Sequence, residues 1–470
     1  MPFKDGAAGQ TGEAKPDSEY IDHASGQAGP ADEYAYLEDT PEERALVRKI
    51  DRRILPMLWV MYIFNYIDRT NIGNAKTGGM QADLKLTSSD YSLILSIFFI
   101  GYLLNEVPCN MILARSRPSR FLPAIMFVWG CMSIAVKGVN SFGGMVGWRF
   151  CLGLVEAGFF PGVMLLLSCW YKPAELSKRV AMFYTASLVS GAFGGLLAGG
   201  IITGLEGVGG TRGWKWLFII EGLITVVLAV IAFFVLPDYP NTTKWLTEKE
   251  KKLALIRIAA GNISAEEEII LSHKEAFLAS VKDLRTWGFL LLYNLITCAG
   301  TISYFFPTLM TSLGYTGNKA QFMTVPIYAV AFVISVITGV SADKTRMKAV
   351  HTLGACVLGV ISFVICVTVS NNTVRYVFIC FGGAGIWTAT PIFLSWMITM
   401  FDGREKRAVS IALINGFGNL ASVYGSFLWP STDAPMYHIG FGVTTALLGT
   451  AAGVTALLKW AYGDKGVMRS

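Results

Sequence analysis

Apolar stretches of about 20 residues recur along the chain between short polar turns, and each is long enough to cross a bilayer as one helix. Spans are predicted near residues 54–74, 91–113, 121–139, 143–167, 180–204, 215–236, 287–311, 322–341, 350–369, 375–400, 408–429 and 437–460. The first run follows Arg52 and Arg53 and lacks a small-residue cleavage site, so it is expected to remain as a span and not to be removed as a signal peptide. The longest internal polar stretch, Asn241 to Arg285, leaves six spans on either side. The fold class expected is therefore an all-α polytopic membrane protein of twelve transmembrane helices in two six-helix halves, residues 46–240 and 287–462. A cytosolic linker, 241–286, joins them. Residues 1–45 read as a disordered cytosolic tail, because the first 40 carry nine acids against two lysines and few apolar side chains; residues 463–470 form a short second tail. Gly339-Val340-Ser341-Ala342-Asp343-Lys344-Thr345-Arg346 forms a turn between the eighth and ninth spans, and the matching place in the first half keeps a base, Arg115, without the Asp. Such repeated halves around a midplane site are the layout of many secondary transporters.

Composition and charge narrow this further. Of 470 residues 53% are apolar and 15% charged, against roughly 25% charged in soluble domains, which excludes a soluble globular enzyme. The net charge of +6 is unevenly placed: 30 of the 39 Lys and Arg residues fall on the side of both termini, 7 on the other, and Arg69 and Arg149 lie within spans. That asymmetry assigns both termini to the cytosol and removes nucleic acid as a partner. Eight cysteines sit in or beside apolar segments with no CxxC pair and read as small buried hydrophobes. The four histidines, His23, His273, His351 and His438, are scattered over tail, linker and span ends; no metal-ligand spacing, nucleophile–base set or cofactor motif appears, so no enzyme activity, metal or cofactor is expected.

Ionisable side chains inside a span are costly and mark a pathway or a partner. Six appear, all in the first half: Asp68, Arg69, Glu106, Arg149, Glu156 and Glu221. Asp68 and Glu156 fall near mid-depth, by the helical rise of 1.5 Å per residue. Arg149 and Glu156 are two turns apart and share a face, whereas adjacent Asp68 and Arg69 diverge, leaving Asn65 or Asn71 as the partner expected for Asp68. Arg69, a permanent cation at mid-depth, points to an anion site, and a carboxylate suits its two-pronged guanidinium. Glu156 is the first choice of proton carrier and Asp68 the second. Glu106 and Arg149 serve conformational change or helix anchoring. Asn65 and the second-half residues Tyr304, Trp387 and Asn415 are candidates to line the site; Asn294, Thr390, Trp396, Asn419 and Tyr424 are further polar or aromatic positions of that half. Asp343 and Arg346 are assigned to gating. Gly191, Gly194, Gly195 and Gly199 would allow close helix approach in the fifth span.

Several motifs carry a resemblance. Phe64-Asn65-Tyr66-Ile67-Asp68-Arg69-Thr70-Asn71-Ile72-Gly73-Asn74-Ala75 in the first span, Arg149 to Gly158 with Pro161 in the fourth, and Gly213 to Gly222 in the sixth resemble the anion:cation symporter family of the major facilitator superfamily. Leu236-Pro237-Asp238, Trp245-Leu246 and Asp433-Ala434-Pro435-Met436-Tyr437 also fit, over about residues 45–460. The chain is most similar to fungal permeases for allantoate, nicotinate, pantothenate and related carboxylates. Cys109 and Lys215 depart from the family pattern, where serine and arginine are usual. The resemblance implies a proton-coupled carrier of organic anions working by alternating access, with Arg69 on the substrate carboxylate and Asp68 and Glu156 coupling protons.

The function expected is proton-coupled uptake of a small organic anion, with the anion, protons and lipid bilayer as partners, a monomeric state, and the plasma membrane as location. One alternative keeps the fold and exports a secondary metabolite or drug. A weaker one is a membrane sensor that binds the anion without moving it.

Overall fold

The structure, a computed structural model, describes residues 39–114, 116–263, 273–401 and 404–463. Among them every regular element is helical. Helix α1 spans Pro41–Thr70 and continues through Ile72–Ala75, a π-helical turn Lys76–Met80 and Gln81–Asp83. Local chemistry fixes its start: the Thr40 hydroxyl accepts from Glu43 N–H, the Glu43 carboxylate accepts from Asp39 N–H at 2.9 Å, and Pro41 occupies the first turn, where no amide donor is needed. Residues 41–45, expected in the tail, are thus helical; the rest of that stretch, 1–38, lies outside the described residues. Gly79, at φ 115°, kinks the π-helical turn from within.

The helices α2 (Ser88–Ala114), α3 (Pro118–Ala135), α4 (Phe142–Ser168), α5 (Pro173–Gly204) and α6 (Gly213–Val235) complete the first half. The second is built from α9 (Leu284–Ser312), α10 (Asn318–Thr345), α11 (Lys348–Thr368), α12 (Asn372–Ile398), α13 (Arg404–Asn419, extended by Ala421–Gly425) and α14 (His438–Tyr462). Between the halves lie α7 (Glu248–Ile263) and α8 (His273–Lys282). The architecture is that of twelve membrane helices in two halves. Nine of them, among the described residues, qualify as spans on length and apolarity alone. Of the other three, α1 carries Asp68 and Arg69 beside the charges of its first turns, and α13 is only 16 residues long. Lipid-facing surface accounts for apolar side chains left outside, such as Leu104, Phe234 and Trp460. Cys131 and Cys151 belong to that surface and not to the interior expected for them, while Cys109, Cys298, Cys356, Cys366 and Cys380 are buried.

Two breaks shape the centre. Pro161 lacks the amide proton for the carbonyl four residues back, and α4 opens at Ala157–Gly158, directly after Glu156. Pro307 has the same effect on α9, which tightens to a 3₁₀ stretch at Thr301–Phe305. Close crossings then bring the polar residues together. Gly101 of α2 lies against the Phe150 carbonyl and Gly153 of α4 against that of Phe98, and a side chain at either would collide.

The connection is shared between the halves. Arg257 of α7 is wholly buried and donates to Glu43 (3.1 Å), to Glu175 (2.5 Å) and to the Trp170 carbonyl (3.3 Å); Trp245 stacks on Trp170 at 5.6 Å. Helix α8 docks instead on α13, where Ser280 donates to the Lys406 carbonyl. We call the face that carries α7 and α8 the linker face, and the opposite one the far face.

Polar links join the halves at the far face. Tyr91 donates to the Tyr304 carbonyl (3.0 Å), Gln321 to Thr77 (2.8 Å) and the Asn74 carbonyl (3.3 Å), Ser431 N–H to Ser88 (3.0 Å), and Thr203 pairs with Asn318. In α5, Gly191, Gly195 and Gly199 lie against Tyr328, Thr324 and Phe322 of α10, as close approach required; Gly194 meets Asn71 within its own half. Towards the linker face the same two helices part around a cavity of about 590 Å³, lined by Lys178, Tyr184 and Leu188 of α5, Gly339 and Asp343 of α10, and Trp387 and Ser395 of α12.

Candidate functional site

Arg69 lies at the centre of the first half. Its Nε donates to Glu156 Oε2 at 2.7 Å, and Asn65 Nδ2 donates to the same oxygen at 3.1 Å. Glu156 is completely enclosed and the Arg69 side chain is 14% exposed. The guanidinium sits 4.8 Å from the Tyr102 ring centroid and 5.5 Å from that of Phe98. Phe98 also faces Arg149, at 5.1 Å, so one ring is shared by two cations. Arg149 is buried to 1% and donates Nη2 to the Arg69 carbonyl at 3.2 Å. It therefore belongs to the central cluster. Arg69 Nη2, Arg149 Nε and Nη1, Glu156 Oε1 and Asn65 Oδ1 are buried without a hydrogen-bond partner. With Glu156 ionised this cluster carries two cations and one anion.

The other two buried acids lie apart from these cations. Asp68 Oδ2 accepts from Trp129 Nε1 (3.1 Å) and Thr225 Oγ1 (3.2 Å), not from Asn65 or Asn71 as expected. Asn65 is committed to Glu156, and Asn71 donates to Glu221 while accepting from Asn74 at 2.7 Å. Asp68 Oδ1 and Glu221 Oε2 have no partner. This arrangement follows from a second close crossing, Gly130 of α3 against Gly222 of α6, which places Trp129, Glu221 and Thr225 around Asp68 and Asn71. Periodicity reads one helix at a time, and Trp129 and Thr225 come from two others.

The second-half candidates divide. Trp387 packs edge-on against Tyr66 (5.6 Å between centroids) and lines the cavity. Tyr328 lies 6.1 Å from Trp387, and Tyr62 stacks on Phe183 at 4.2 Å, so an aromatic layer drawn from α1, α5, α10 and α12 forms beside Trp387. Thr390 also lines the cavity. Tyr304 packs on Phe99 at 6.1 Å, and its carbonyl belongs to the far-face seal. Asn415 donates to Glu106 at 3.3 Å, which joins α13 to α2. Neither Tyr304 nor Asn415 bonds to Arg69. Asn294 donates to the Phe417 carbonyl and accepts from Tyr424, a contact between helices outside the site. Trp396 is enclosed by Phe289, and Asn419 donates to Asn415 at 3.5 Å. Asp343 borders the cavity, and Arg346 caps α10 at φ 57°; the two form no ion pair here. Among the described residues no group of His, Cys, Asp and Glu could hold a metal ion.

Residues 58–426 match the family described as the Major Facilitator Superfamily. The chain is 34% identical to the MFS-type transporter cnsO of Penicillium expansum, over 89% of this chain and 83% of that one. It is 31% identical to the major facilitator-type transporter hxnP of Emericella nidulans, over 89% and 86%. Among solved structures, a bacterial homologue of the human lysosomal transporter Spinster superposes with a TM-score of 0.66 at 16% identity, covering 89% of this chain and 97% of that one. The proton:xylose symporter XylE gives 0.66 at 15% identity, over 88% and 97%. At such identities these likenesses concern the fold.

Proposed function

Because this chain belongs to the Major Facilitator Superfamily and is a multi-pass membrane transporter, we propose that it moves a small organic carboxylate together with at least one proton by alternating access. The observation that carries this reading is the Arg69 fork: Nε is held by Glu156, Nη2 is buried without a partner, and Arg149 adds a second cation beside a single carboxylate. An excess cation in a low-dielectric interior is stabilised by an incoming anion, and guanidinium binds carboxylate through paired donors.

Coupling follows from competition for that fork. A substrate carboxylate arriving at Nη2 weakens the hold of Arg69 on Glu156, and a proton on Glu156 then removes the surplus negative charge. Protonation also supplies a donor that the ionised acid lacks, beside the unpartnered Asn65 Oδ1. Asp68 and Glu221 form a separate acidic reserve held by neutral donors. We assign the linker face to the cytosol because the linker belongs to the set of segments that, by the predicted spans, carries 30 of the 39 Lys and Arg residues of the sequence. The sealed far face and split linker face then correspond to a state open inward as far as Trp387, and Asp343 and Arg346 would meet only when that side closes. With the interior negative, each net positive charge imported contributes about 2.3 kcal/mol per 100 mV. The subfamily of anion:cation symporters, a plasma-membrane location and a monomeric state belong to the same proposal.

The test is uptake into proteoliposomes of nicotinate, pantothenate and allantoate, each with and without an imposed pH gradient. Accumulation of one of them is expected to follow the gradient and to vanish in Arg69→Ala. Accumulation indifferent to both would overturn the reading.

A further inference from the structure

Among the described residues, Lys76 is the one whose surroundings least explain its charge. It lies in the π-helical turn of α1 and is 6% exposed. Its ammonium sits 4.3 Å from the Tyr91 centroid and 5.4 Å from that of Phe305. None of its donors reaches an oxygen among the described residues. The other buried cations behave differently: Arg69 and Arg257 hold carboxylates, Arg149 and Arg375 hold carbonyls, and Lys215 donates to the Lys137 carbonyl and Asn140. A methionine would fill the slot between two rings without the desolvation of an ammonium.

Position gives the charge a use. Lys76 comes seven residues after Arg69, two turns along a nearly continuous helix, so it lies on the same side of α1 and about 10 Å nearer the far face. The cover over it comes from both halves. Tyr91 belongs to α2, whereas Phe305 ends the 3₁₀ stretch of α9, whose neighbour Tyr304 accepts the Tyr91 hydroxyl at 3.0 Å. Separating the halves at the far face breaks that hydrogen bond and withdraws Phe305 from the ammonium.

We propose that Lys76 is an anion-binding subsite on the far-face approach to Arg69, covered by the Tyr91 and Phe305 rings while that face is sealed and offered to an organic carboxylate when it opens. Onward passage of the anion from this subsite to Arg69 rests on the carboxylate-carrier reading, but the subsite itself is testable alone. In the sealed state the aromatic faces stand in for the anion, which keeps the cation satisfied without a fixed carboxylate that would compete with the guest.

The experiment uses the full chain in sealed vesicles with the far face outside, and an impermeant, amine-reactive stilbene disulfonate isothiocyanate as the probe. Adducts at Lys76 are mapped by peptide mass spectrometry. Labelling is expected, and benzoate at about ten times its Kd should slow it about tenfold, whereas the neutral isostere benzamide should not. Phe305→Leu, which keeps an apolar side chain but removes the ring, should speed labelling several-fold. Failure to label Lys76 even in Phe305→Leu, or labelling that benzoate and benzamide affect equally, would overturn the proposal. Arg69→Ala separates the two readings: benzoate protection of Lys76 should survive it. If protection persists while uptake proves independent of Arg69, the carrier reading fails and the subsite stands.

Discussion

Arg69 gives its Nε to Glu156 while its Nη2 meets no acceptor among the described residues, and the two residues should therefore fail differently. Glu156→Gln keeps an oxygen for Arg69 Nε but cannot take up and release a proton by titration. It is expected to retain exchange of labelled for unlabelled anion across the membrane while losing accumulation driven by a pH gradient; equal loss of both would argue that Glu156 only anchors Arg69. Glu221→Gln should be far milder, because Glu221 meets the Asn71 amide and no cation. Gradient-driven uptake within a few-fold of the parent is the outcome expected. The sequence displays every charged residue named in this contrast, since a carboxylate in a run of apolar residues is conspicuous. It does not display their partners. Spacing suggests Asn65 or Asn71 for Asp68, whereas the donors are Trp129 and Thr225 from neighbouring helices. Lys76 is hidden for another reason: the apolar run ends near residue 74, which counts Lys76 with loop cations, while the helix continues to Asp83. The signal available is the scarcity of charge between Arg69 and Asp83, where Lys76 stands alone.

The helices themselves are legible, because a span needs only length and apolarity, but the elements that hold the linker face together are not. Nothing in Trp245 to Ile263 announces that α7 docks on the first half through a buried arginine. Arg257→Ala would leave Glu43, 4% exposed, and the partly buried Glu175 without that cation. Lys172 still reaches Glu43 at 2.8 Å, yet breaking a buried pair costs about 3–5 kcal/mol. The expected result is a lower thermal midpoint in detergent, with binding at Arg69 unaltered. Beside this cluster the Lys49 ammonium holds the Glu250 carboxyl below its usual range, through a hydrogen bond of 2.8 Å. A depressed carboxylate contributes stability above its unfolded value of about 4.3 and loses it as pH falls through the lower folded value. The Lys49–Glu250 link is thus insensitive to pH near neutrality, and a pH dependence of transport in that range should survive Glu250→Gln. If Glu250→Gln abolishes it, the linker takes part in coupling.

At the scale of the whole molecule the two faces are unequal. Far-face closure rests on many small contacts: four sets of hydrogen bonds between the halves, and three glycines of α5 against Tyr328, Thr324 and Phe322. The linker face beyond Trp387 is held apart around about 590 Å³. If the halves rock as bodies, weakening the far seal shifts the population towards the opposite state without touching the substrate site. Gly195→Leu is suited to this, since any side chain there meets Thr324 and the Gln321 carbonyl. Overpacking of this kind costs about 1–3 kcal/mol, enough to change a two-state ratio by roughly five- to 160-fold. The readout is a cysteine at Thr390, in a background lacking the native eight, probed with an impermeant thiol reagent from either face. In the parent the reagent should act from the linker face; with Gly195→Leu that reaction should slow, and labelling of Lys76 from the far face should speed up. A Thr390→Cys signal that stays unchanged while Lys76 opens would mean the two faces are gated independently, and that the aromatic layer of Tyr66 and Trp387, not motion of whole halves, controls access to Arg69.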